Sequence, residues 1–296
     1  MTTAETVLTT TQVDAFWADG YLCLQEALTP LQLTSLTTDF DTWVEQSRNH
    51  TEPFGSTIDG RARFDLEVDH TADKPALRRV ASPIEVSAAY LAAMRNNRAL
   101  DAVAQLIGPN IEFNNAKINS KQPGSATHVK YHQDFMFQPH SNQDLIAVLF
   151  FIDEVSLENG PLQVVPGSHR GPLFDHWHDG AFTGAVDKAI EAKHIDRAVP
   201  ITGQAGAACL MHTRLLHGSA PNSSEAPRTL FIAEYRAEDS KPLQVNHLPS
   251  KYQGEVVRGQ ATNRVRCSSY EMEFPEVPTG ASFFSQQAKA DARQAM

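Results

Sequence analysis

The 296-residue chain has no apolar run longer than eight residues, far short of the ~20 that a helix needs to span a bilayer. It has no run of basic residues and a formal charge of −10, which argues against a nucleic-acid partner. Its three cysteines, Cys23, Cys209 and Cys267, are few, odd in number and unpatterned, so no disulfide framework is expected and the thiols read as reduced in a cytoplasm. The opening MTTAETVLTTTQ lacks the charged start and apolar core of a signal peptide. Gly203, Gly206 and Gly218 are too scattered for a phosphate loop, and no internal repeat stands out. What remains is ordinary: 41% hydrophobic and 20% charged residues, the composition of a globular protein able to bury a large core in one or two domains.

Helical signals come first. TQVDAFWAD reads as a short helix stopped by Gly20, and Thr29-Pro30 opens a second, LQLTSLTTDFDTWVEQ, with Thr29 as N-cap. Between them YLCLQEAL alternates like a strand. Residues 50–80 are polar and irregular, the composition of a long loop or flap, and helices are expected over about 83–95 and 98–107, ended by Gly108-Pro109. From about 111 the chain turns to strands. IEFNNAKINSKQ alternates and puts Asn115, Lys117, Asn119 and Lys121 on one face, either a solvated sheet face or the polar wall of a pocket. Apolar stretches follow at 145–152, 161–166, 207–211 and 228–236, with turns at Glu158–Pro161 and Ala220–Asn222. Helices first and then many short strands predict a mainly β barrel or sandwich with helices packed outside it.

Three His-x-acid triplets occur, at His50, His132 and His194. Chance gives about 1.4 from 12 His and 35 acidic residues, so context has to separate them. His50 lies in a turn-like stretch, and His194 has the next candidate ligand, His217, only 23 residues on. His132-Gln133-Asp134 is followed by LIAVLFFI and further strand-like runs before His217, which leaves room for a barrel to close on itself. On an extended segment His132 and Asp134 point to one face. Two imidazoles and one carboxylate make the facial triad of a non-heme Fe(II) oxygenase, with open positions for a bidentate 2-oxo acid and O2. Arg228, eleven residues after His217, is suited to clamp the far carboxylate of that acid.

Taken together, VDAFWADGYLCLQEALTPLQL, YHQDFMF, LENGPLQVVPGSHRG and LLHGSAPNSSEAPRTLFIAEYR resemble, in this order, the phytanoyl-CoA dioxygenase family of Fe(II)/2-oxoglutarate-dependent oxygenases. The resemblance runs over roughly 10–237. It implies a double-stranded β-helix, or jelly roll, with flanking helices; His132, Asp134 and His217 as metal ligands; and Arg228 as the 2-oxoglutarate arginine. One oxygenase domain over 1–296 is then expected, with a helical part at about 1–110, a jelly-roll core at about 111–237 and a C-terminal extension at 238–296. The activity implied is hydroxylation of an unactivated C–H in a small-molecule or thioester-linked metabolite, with release of succinate and CO2. Lys117 and Asn119 join Arg228 as candidate co-substrate contacts.

Two other classes compete. A Zn(II) hydrolase could use the same three ligands and a bound water, but Arg228 would then lack a task. A non-catalytic jelly-roll binding module leaves four ordered site residues unexplained. Asp175-His176-Trp177-His178-Asp179 offers a second metal site or a lid carrying a Trp; residues 50–80 and 170–190 are expected to be mobile covers of the pocket. Substrate identity and oligomeric state are not written in the sequence.

Overall fold

The computed structural model describes residues 5–277. The chain opens with helix α1 (Thr10–Asp19), strand β1 (Tyr21–Leu24) and helix α2 (Pro30–Ser47). Each helix begins with a capping box, Thr9 with Gln12 and Thr29 with Gln32, which satisfies two N–H groups that the first turn would leave orphaned. Gly20 ends α1 at φ 86°, and a Cβ there would lie 2.4 Å from the His169 ring, so glycine is required on conformational and steric grounds alike. Strands β2 (Phe64–Leu66) and β3 (Leu77–Ala81), a 3-10 turn at Pro83–Glu85, and helices α3 (Ala88–Arg95) and α4 (Arg98–Ile107) follow.

The long strand β4 (Ile111–Lys121) starts the strand-rich part. After it come β5 (Val129–His132), a 3-10 turn at Asp134–Phe137, β6 (Leu145–Phe151), β7 (Leu162–Val164), the short hairpin β8 (Trp177–His178) and β9 (Ala181–Phe182), and helix α5 (Lys188–His194). The remaining strands are β10 (Val199–Ile201), β11 (Ala208–His212), β12 (His217–Ser219), β13 (Arg228–Ala237) and β14 (Val256–Arg258).

All pairings are antiparallel. One sheet runs β1-β11-β6-β13-β4-β3-β2, with β14 added on β4; the other runs β10-β7-β12-β5. This is the expected jelly roll. The larger sheet is covered on both faces, which explains why β6 reads as an unbroken apolar run. Ile146, Val148 and Phe150 join Phe16, Leu36, Tyr90, Leu100 and Val103 in the core beneath the helices. Ala147, Leu149 and Phe151 point the other way and meet Leu162, Val164, Met211 and Leu230 between the sheets. Each fully buried Phe or Leu contributes about 1.5–3 kcal/mol.

Two expectations are corrected. Residues 50–80 are not irregular throughout: β2 and β3 pair with each other and β3 pairs with β4, placing Arg79 opposite Asn119. The charged pair Asp65–Arg78, 2.8 Å apart, sits on strands of only three and five residues and masked their pattern. Residues 170–190 likewise contain the β8–β9 hairpin, and His176 is fully buried. The extension past β13 wraps back along the barrel. Arg266 ion-pairs with Asp144 and Asp239, the Tyr270 hydroxyl donates to His140 O, and β14 joins β4. The last twenty or so residues are poorly patterned in sequence, which suits a docked or frayed tail, and fall almost entirely outside the described residues.

Candidate metal centre

Sheet register builds the site. His132, the last residue of β5, and His217, the first of β12, are direct cross-strand partners, and such partners on one face have Cβ atoms about 4.5–5.5 Å apart. Gln133 is extended (φ −118°, ψ 124°), so Asp134 falls on the same side as His132. The ligand atoms of His132, Asp134 and His217 all lie within 4.8 Å of one another. His132 Nε2 is 3.4 Å from Asp134 Oδ1, and His217 Nε2 is 3.8 Å from Oδ2.

The ring protons decide what this cluster fits. Nδ1 of His132 lies 2.8 Å from Lys130 O, and Nδ1 of His217 lies 2.8 Å from Leu215 O. A carbonyl oxygen only accepts, so each Nδ1 carries the proton and donates. Both Nε2 lone pairs then face a carboxylate. Burial, with His132 alongside, pushes His217 down to about 4. Burial would raise Asp134, but His217, Lys117 and His132 outweigh it and hold the carboxyl well below its ordinary range. Three electron-pair donors aimed at one point suit a divalent cation. Among the described residues no other group of three or more His, Cys, Asp or Glu is arranged to hold a metal; His176 and His178 of the Asp175–Asp179 stretch are instead tied to Phe174 O and Ala185 O.

Gln133, between the two ligands, is buried and anchors them. Its side chain accepts from Phe174 N–H at 2.8 Å and donates to Arg214 O at 2.7 Å and Pro172 O at 3.2 Å. Its own N–H donates to His176 Nε2 at 3.1 Å. The 172–176 segment is thus bolted to the ligand dipeptide, a role that nothing in the sequence signalled.

The pocket beside the triad lies between the sheets. Lys117, Asn119 and Lys121 of β4 line it together with Arg228, Leu230 and Ile232 of β13, and these are the register partners Lys117–Ile232, Asn119–Leu230 and Lys121–Arg228. The alternating polar face of β4 is therefore a pocket wall, not a solvated surface. Asn115 is the exception, being held by Glu234. Arg228 stands on the strand after β12 in chain order, but in the facing sheet, so it reaches the pocket from the wall opposite His217. Its Nε donates to Gly160 O at 3.1 Å. Burial pushes its guanidinium down to about 10, with Asp153 offsetting part of this. Lys121, which the sequence reading placed on this face without a role, donates to Ser219 Oγ at 2.7 Å and to Ala220 O. A wider cleft of about 640 Å³ lies against the other side of β5, lined by Lys130, Tyr131, His178 and Val186, and contains neither the triad nor Arg228.

Residues 16–230 match the model of the family described as phytanoyl-CoA dioxygenase. The chain belongs to the phytanoyl-CoA dioxygenase family. It is 36% identical over 192 residues to a probable alpha-ketoglutarate-dependent hypophosphite dioxygenase of Stutzerimonas stutzeri, covering 63% of this chain and 66% of that protein. It is 28% identical over 158 residues to L-proline trans-4-hydroxylase of Streptomyces griseoviridis, covering 47% and 59%. The matched stretch spans less than two thirds of either relative's own length. In fold it resembles EctD from S. alaskensis with bound Fe, at a TM-score of 0.64 and 21% identity over 88% of this chain and 87% of that one.

Proposed function

We propose that this chain is an Fe(II)- and 2-oxoglutarate-dependent dioxygenase that hydroxylates a small molecule at an unactivated C–H, with release of succinate and CO2. One observation carries the reading: a cluster of two imidazole lone pairs and a carboxylate shares a pocket with a second, cationic end built from Arg228 and Lys121. His132, Asp134 and His217 would hold the iron, which supplies O2 activation coupled to decarboxylation of the 2-oxo acid. Arg228 binds the far carboxylate of 2-oxoglutarate through its terminal nitrogens, and Lys121, directly across the strand pair, adds charge there. Asn119, whose buried side-chain oxygen has no hydrogen-bond partner, lies between the two ends and orients the co-substrate. Leu149, Leu162 and Leu230 keep water from the reacting centre. The relatives named for hypophosphite and L-proline support a small-molecule substrate. A zinc hydrolase has no use for the Arg228–Lys121 end. No helix among the described residues is long and apolar enough to cross a membrane.

The test is O2 uptake and succinate formation by the purified protein. Both should require added Fe(II) and 2-oxoglutarate together. Hydrolysis of esters or amides supported by Zn(II), with no 2-oxoglutarate consumption, would overturn the reading.

A further inference from the structure

The pocket has more positive charge than one co-substrate uses. Lys117 and Lys121 lie on the same face of β4, four residues and therefore about 13 Å apart along the strand. That exceeds the length of a five-carbon diacid. A 2-oxoglutarate whose far carboxylate rests on Arg228 and Lys121 consequently ends at the triad and leaves Lys117 to something else. Lys117 lines the pocket at the triad end. Its ammonium makes no hydrogen bond and no ion pair within 4 Å among the described residues, although it is close enough to Asp134 and Glu234 to sense both.

Neither acid is available to it. Asp134 is turned toward His132 and His217. Glu234 accepts from the side-chain amides of Asn114 and Asn115. One further cation and one imidazole stand nearby. Arg79 is buried on β3, opposite Asn119, and acts electrostatically on Lys117. His247, delivered by the extension past β13, packs against Phe137 with ring centroids 5.6 Å apart and planes tilted by 42°, and its buried Nδ1 has no hydrogen-bond partner. Burial first, then Lys117 and Arg79, push His247 well below its ordinary value. A neutral imidazole still donates one N–H. A buried nitrogen without a partner is costly; an anion at this spot would pair with the part-buried Lys117 ammonium and, where it carries the ring proton, with the buried Nδ1 of His247.

We propose that Lys117 and His247, backed by Arg79, form an anion subsite on the side of the triad away from Arg228, and that the substrate is a small molecule carrying an oxyanion group such as a carboxylate or phosphonate. This deepens the oxygenase reading and rests on it. The anion docks on Lys117, which fixes the adjoining carbon over the open side of the triad, while 2-oxoglutarate occupies the other end.

The experiment is calorimetric titration of the full chain, kept under nitrogen with Fe(II) and saturating 2-oxoglutarate so that the Arg228 end is filled and nothing turns over. Ethylphosphonate and propionate are the anionic probes, and propionamide is the neutral one. The parent should bind at least one anion tenfold or more tightly than propionamide. Lys117→Gln should weaken that anion at least tenfold, Lys117→Arg should restore most of it, and His247→Gln should weaken it several-fold, with 2-oxoglutarate affinity within twofold throughout. No preference for the anions in the parent, unchanged anion binding in both Lys117→Gln and His247→Gln, or a Lys117→Gln loss that falls on 2-oxoglutarate instead would each overturn the subsite. A parent that binds no 2-oxoglutarate would sink the oxygenase reading and the subsite with it. Normal 2-oxoglutarate binding without anion preference sinks the subsite alone.

Discussion

Lys121 and Arg228 face each other directly across β4 and β13, two buried basic side chains on one pocket wall. Burial, with Arg228 alongside, pushes the Lys121 ammonium down from 10.5 to about 6. At pH 8 the free protein therefore holds a neutral amine there. A carboxylate placed between the two groups favours the charged form, so binding of 2-oxoglutarate draws in a proton. Affinity for 2-oxoglutarate should weaken as pH rises above about 6, and calorimetry in buffers of different ionisation enthalpy at pH 8 should show uptake approaching one proton. Lys121→Met should abolish the uptake. The same shift has a stability consequence. The folded value lies below the unfolded one, so the unfolded chain binds more protons between pH 6 and 10.5, and the ligand-free protein gains stability with rising pH across that window. A parent with no proton uptake would show that Lys121 is not part of the clamp.

Removing the clamp itself gives a larger effect. Truncating one partner of a desolvated charge pair costs about 2–5 kcal/mol, so Arg228→Gln should raise the 2-oxoglutarate KM by roughly 30-fold or more. Metal affinity should be unchanged, because Arg228 stands in the facing sheet from His217 and makes no contact with the triad. An unaltered 2-oxoglutarate KM would move the clamp to Lys121 or Lys117.

Much of this was legible in the chain. The triad could be read because an extended i, i+2 pair must share a face, and because the distance from His132 to His217 leaves room for the strands that bring them together. β6 could be read because a strand buried on both faces needs no polar alternation. The polar face of β4 could be seen as a face, but period-2 alternation is the same for a pocket wall and a solvated surface; only the opposing sheet decides. β2 and β3 escaped notice because their charged residues are satisfied in three dimensions, Arg78 of β3 by Asp65 of β2 at 2.8 Å. His247 lies 113 positions after Asp134 in a stretch without periodicity, and only the path of the C-terminal extension carries it to Phe137, next to the ligand segment.

The metal prediction rests on three donor side chains whose ligand atoms converge within 4.8 Å of one another. Adding Fe(II) or Zn(II) to the parent should raise its melting temperature with metal concentration, as expected for a ligand that binds only the folded state. Asp134→Ala should remain folded, lose that response and show no turnover. An Asp134→Ala protein stabilised by metal as strongly as the parent would show that the ligands lie elsewhere.

The last prediction concerns a residue that touches no ligand of the metal except through the backbone. Gln133 sits between His132 and Asp134, is fully buried, and makes three side-chain hydrogen bonds to main-chain groups of Pro172, Phe174 and Arg214. Gln133→Ala leaves those groups without partners, a loss of about 1–3 kcal/mol for each one that water cannot reach, and the melting temperature should fall. A second effect separates positioning from plain stability. Partners that orient metal ligands typically change affinity by about 10–100-fold when removed, so the variant should bind Fe(II) more weakly at a temperature where it is fully folded. Gln133→Glu supplies a similar volume and an acceptor for the Phe174 N–H but no donor for the two carbonyls. It should recover part of the metal affinity and less of the stability. Equal loss of stability in both variants with parental metal affinity in both would make Gln133 a packing residue, and would leave the geometry of the triad to the His132–His217 register alone.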